Sequence, residues 1–117
     1  MGGQSWTDEE KAIAIYFAYR GVPGEAISQL LNVRGFTRSK SAVWGRLRGI
    51  ESDNNVSIRS LTTAEADSFI DQVARGYDII GLLSPTDEDQ RIVSKYRPDI
   101  DVWKEYEEWL DRVARAQ

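Results

Sequence analysis

The chain has no cysteine and no histidine. The first absence excludes disulfides, thiol nucleophiles and sulfur-ligated zinc. The second removes the commonest general base. No loop shows the alternating acidic spacing around a central glycine that a calcium site uses, and no glycine-rich phosphate loop is present. No apolar run approaches the roughly 18–20 residues that a membrane span requires. The opening MGGQSW has neither a basic nor an apolar leader region, so no secretory signal is expected. These absences point away from an enzyme. No catalytic residue, cofactor, metal, membrane contact or small-molecule substrate is expected.

What is present suits an ordinary fold. The 117 residues fit one domain or two very small ones, and 41% hydrophobic with 29% charged residues is a globular composition. The net charge of −4 is unevenly spread. Residues 1–60 hold eight Lys and Arg against six acids, or +2, whereas residues 61–117 hold seven against thirteen, or −6. Five of the N-terminal cations lie between Arg34 and Arg48, a stretch without an acid. An acidic chain with one basic patch can bind nucleic acid through that patch, although free-standing DNA binders are more often basic overall.

Helical periodicity runs through the chain. Thr7 and Glu10 form a capping box for a first helix ending near Arg20, with Ile13, Tyr16, Phe17 and the stem of Arg20 on one face. Pro23 opens a second helix carrying Ile27, Leu30 and Leu31. Thr37 or Ser39 caps a third helix, from Ser39 to Ile50. Residues 51–60 read as a polar linker. Beyond it, Thr62 and Glu65 cap a helix with a stripe of Ala66, Phe69, Ile70, Val73 and Ala74. The run 77–83 is ambiguous and reads as a buried turn or short helix. Ser84-Pro85 with the acids after it signals a further helix through Ile92, Val93 and Tyr96. The last helix carries a stripe of Trp103, Tyr106, Leu110 and Val113, with Trp109 on its shoulder. The fold class is all-α.

The third helix has two faces. At about 100° per residue, Val43, Leu47 and Ile50 fall on a core side, and Ser41, Trp44, Gly45 and Arg48 on the other. Arg38, Lys40, Arg46 and Arg48 are candidate phosphate contacts, with Arg34 adding one from the preceding loop. Four cations in eleven residues also describe a solvated helix face. Trp44 has three readings: packing beneath the acidic half, anchoring a protein interface, or stacking on nucleic acid.

Trp6-Thr7-Asp8-Glu9-Glu10, then Ala26-Ile27-Ser28-Gln29-Leu30-Leu31, then Arg38-Ser39 through Leu47 resemble the Myb/SANT-like subgroup of homeodomain-like helix-turn-helix folds. In particular they resemble the Myb-like modules of uncharacterised fungal proteins. The resemblance covers roughly residues 5–50. It implies a three-helix domain over 5–50; by their own composition and periodicity the residues beyond read as a linker over 51–60 and an acidic helical extension of about three helices over 61–117, free to pack on the first part. It also implies a nuclear protein acting in transcription or chromatin regulation. Its partner would be double-stranded DNA, gripped along the backbone by basic helix three, or a nuclear protein bound without DNA. The implied binding residues are Arg34, Arg38, Lys40, Ser41, Trp44, Arg46 and Arg48. The chain departs from the family where Gly24 and Leu47 stand in place of tryptophans. It departs again where Ser41, Trp44 and Gly45 replace the Asn and Lys that read base edges.

Overall fold

The computed structural model describes residues 5–116. Among these, regular structure consists of α-helices and one 3₁₀ turn, without a strand. In order they are α1 (Asp8–Tyr19), α2 (Gly24–Val33), α3 (Lys40–Asn54), the turn Ile58–Ser60, α4 (Thr63–Ala74), α5 (Ile79–Leu83), α6 (Asp87–Tyr96) and α7 (Val102–Ala116). The expectation of no leader in MGGQ concerns residues outside those described.

Local chemistry sets most helix starts. Thr7 with Glu10, Thr62 with Glu65 and Thr86 with Asp89 each form a reciprocal capping box that satisfies otherwise orphan N–H groups. The third box moves the start of α6 past Ser84-Pro85, because the side chain of Thr86, not of Ser84, accepts from the Asp89 N–H. Ser39 caps α3 by accepting from the Ala42 N–H at 3.1 Å.

Helix α1 is the centre of the molecule. Its residues 12–17 are all buried, so it is covered on every side and not along a single stripe. It packs against α2, α3, α4, α5 and the 3₁₀ turn, while α2 also packs on α3 and α6, and α6 on α7. One core cluster therefore joins residues of both halves, from Ile13 and Leu31 to Ile70, Val93 and Trp109.

Two stretches differ from the sequence reading. Residues 51–54 are the last turn of α3, which ends at left-handed Asn55, and Ile58 is buried with its N–H donated to Glu51 Oε2 at 2.8 Å. The polar letters there belong to a solvent-facing helix end: Ser52, Asp53 and Asn54 are all exposed. On α7 the expected Tyr106, Leu110 and Val113 pack against the core, but the centre of the buried face is turned by one position: Val102 and Trp109 are buried, whereas Trp103 is 43% exposed. Trp109 meets the Tyr16 ring edge-on at 5.6 Å, so it is a core residue and not a shoulder.

Candidate functional site

The seven candidate binding residues separate into three groups. Arg34 and Arg38 turn inward. Arg34 donates to both carboxylate oxygens of Asp89, at 2.9 and 2.7 Å, and to the Leu30 carbonyl at 3.1 Å. Only 7% of its side chain and 1% of that of Asp89 are exposed. Arg38 grips both oxygens of Glu10, donates to the Ser5 carbonyl at 2.9 Å and stacks 4.9 Å from the Trp6 ring. Burial alone would raise the Glu10 carboxyl, but hydrogen bonds from Arg38 and Thr7 outweigh it and hold the group below its usual range. Both arginines bind carboxylates of the chain itself, each the last residue of a capping box. Their reading as phosphate contacts does not match this geometry.

Lys40, Ser41, Trp44 and Arg48 form the second group. All four are exposed and share one stripe of α3. Trp44 keeps 58% of its surface open, and the Arg48 guanidinium lies 4.5 Å from its ring. Gly45 and Gly49 beside it meet nothing, so the indole stands above a low surface. The acidic half does not bury Trp44; it packs mainly on α1 and α2. On the opposite side, Val43 and Ile50 are buried and Leu47 is partly so, as the periodicity indicates.

Arg46 stands alone. Two positions from both Trp44 and Arg48, it is turned about 200° from each. It faces a groove between α3, α4 and the start of α1, lined also by Lys11, Asp53, Phe69, Val73 and Arg75. Sequence reasoning groups Arg46 with Arg48 and misses the groove. The signal that finds it is the spacing of Arg46, Ile50 and Asp53, which places them on one face.

An enclosed cavity between α1 and the C-terminal helices measures about 10 Å³, the room of one water. Among the described residues no group of three or more acids is placed to hold a metal ion, and no helix is long and apolar enough to cross a membrane. What the surface offers is an aromatic anchor with flanking cations on one side of α3 and a charged groove on the other. Comparison with protein families, with curated proteins and with solved structures gives no match.

Proposed function

We propose that the chain is a non-catalytic interaction module that docks a nuclear protein through the outer face of α3, in the manner of SANT-type domains of chromatin and transcription complexes. In this reading α1–α3 are the Myb/SANT-like three-helix bundle and the remainder is its acidic extension. The carrying observation is Trp44, held half-open under Arg48 on the same exposed stripe as Lys40 and Ser41. A large aromatic beside an arginine is the usual composition of an interface hot spot. The partner surface complementary to it is acidic, with an apolar residue to cover the indole.

The test is a photo-crosslinker at Ser41 of the full chain, exposed to nuclear extract. Adducts are expected that disappear with Trp44→Ala and with Arg48→Glu, while the urea midpoints of both variants stay unchanged. Adducts indifferent to both substitutions overturn the reading.

A second reading, contact with the DNA backbone, is favoured by one observation: the acidic half leaves Lys40 and Arg48 uncovered. With Arg34 and Arg38 paired internally and Arg46 turned away, about two phosphate contacts remain. Affinity for random duplex would then fall roughly 12-fold between about 50 and 200 mM salt. Fluorescence anisotropy showing that slope, and its loss in Arg48→Glu, would replace the first reading with the second.

A further inference from the structure

Arg46 carries a charge that the described structure does not answer. Its Nε is fully occluded without a hydrogen-bond acceptor, and none of its nitrogens forms an ion pair among the described residues. Its guanidinium carbon lies 6.0 Å from the centre of the Trp6 ring. An occluded Nε–H left without an acceptor is costly, since the rule for buried polar groups is pairing. By contrast, Arg34 and Arg38 in the preceding loop each hold a carboxylate.

The groove around Arg46 has a volume of about 260 Å³. Its mostly polar lining includes the apolar side chains of Ile50, Phe69 and Val73. Its rim holds Lys11 and Arg75, which share one acid: Asp8 lies 3.9 Å from Lys11 and 3.7 Å from Arg75. Those separations are too long for tight hydrogen bonds, so both cations can turn toward an incoming anion. Asp53 supplies a second negative charge on the rim. Three cations against two acids leave the groove one positive charge in excess, inside a chain of net charge −4.

We propose that the groove between α1, α3 and α4 binds a carboxylate side chain of a partner peptide, with the Arg46 guanidinium as its anchor, Lys11 and Arg75 at its rim and Phe69 and Val73 beneath its methylenes. The planar guanidinium matches a carboxylate bidentately. A single excess charge complements a monoanion, whereas Asp8 and Asp53 repel a dianion such as phosphate. Phe69 and Val73 in the lining suit a glutamate stem. This surface lies on the far side of α3 from Trp44 and does not depend on what Trp44 binds.

The test is a ¹H–¹⁵N titration of the full chain, following the Arg46 Nε–H and the backbone amides of Gln72 and Val73. The probes are N-acetylglutamate methylamide, its glutamine counterpart, inorganic phosphate and sodium chloride of matched ionic strength. A saturable shift with the glutamate probe alone is expected, with a Kd of about 1–10 mM. Arg46→Gln should weaken it at least about 5-fold by the amide readout, and Trp44→Ala should leave it unchanged. Arg46→Lys, which keeps the charge but loses the fork, serves if Arg46→Gln fails to fold, and should weaken binding about 3-fold. No saturable shift by about 50 mM, or an equal shift with the neutral probe or with salt, overturns the site. Binding of phosphate as tight as that of glutamate overturns the carboxylate assignment.

Discussion

Arg34 holds both oxygens of Asp89 across a separation of 55 residues, and neither side chain is open to water. The pair joins the end of α2 to the start of α6. Removing one partner leaves an uncompensated buried charge, which costs about 3–5 kcal/mol. Arg34→Ala should therefore lower the urea midpoint sharply. Arg34→Met combined with Asp89→Leu should recover much of the loss, because an apolar pair leaves no charge stranded. A single Arg34→Ala variant as stable as the parent would show that the charge finds water instead.

Glu10 gives the fold an acid limit. Its folded pKa lies below the ordinary 4.5, so its contribution is present above that value and is lost as pH falls through the folded pKa. Tyr16 gives an alkaline one: burial raises it from 10.0 to about 12. The folded state then holds the proton more tightly, and stability declines as pH rises across that interval. Urea midpoints measured against pH should fall at both ends, with the acid limb flattened in Glu10→Gln and the alkaline limb in Tyr16→Phe.

The tryptophans on α3 and α7 should behave oppositely. Trp44→Ala removes a half-open side chain and should change stability by less than about 0.5 kcal/mol. Trp109→Ala empties a core position and should cost about 3–5 kcal/mol. Among the described residues the indole Nε1 of Trp109 has no acceptor, so Trp109→Phe gives up volume but no hydrogen bond there. Thermal unfolding of the three variants checks the order.

Gly21 ends α1 at φ +86°, where an added Cβ would run into Nη1 of Arg97. That nitrogen donates to the Gly21 carbonyl at 3.1 Å. Gly21→Ala should cost more than about 1 kcal/mol through backbone strain alone. Repeating it in an Arg97→Ala background separates the steric part from the strain, as a double-mutant cycle by urea denaturation.

What was legible in the sequence was local. Thr7 and Glu10 are three residues apart, so their capping box can be read from the letters, as can that of Thr62 and Glu65. The inward face of α3 follows from spacing alone. The partners of Arg34 and Arg38 were not legible, because Asp89 and Glu10 lie in other helices and only packing brings them near. Treating the cations from Arg34 to Arg48 as a patch takes neighbours along the chain for neighbours in space. Two of them are internal and a third faces backwards. The exchange of Trp103 and Trp109 is a rotation of one position, smaller than periodicity resolves when aromatics occupy both sites.

Helix α1 is wrapped on all sides by elements drawn from both halves of the chain. A helix so enclosed has no water-compatible face to live with once either half is taken away. Cutting after residue 60 would strip α4 to α7 from the fragment and bare the wall of α1 where Tyr16 meets Trp109. The first three helices on their own should aggregate or stay unfolded, and the intact chain should melt in a single step. A partner gripping the outer face of α3 therefore holds a unit that cannot be pared down to the helices it touches.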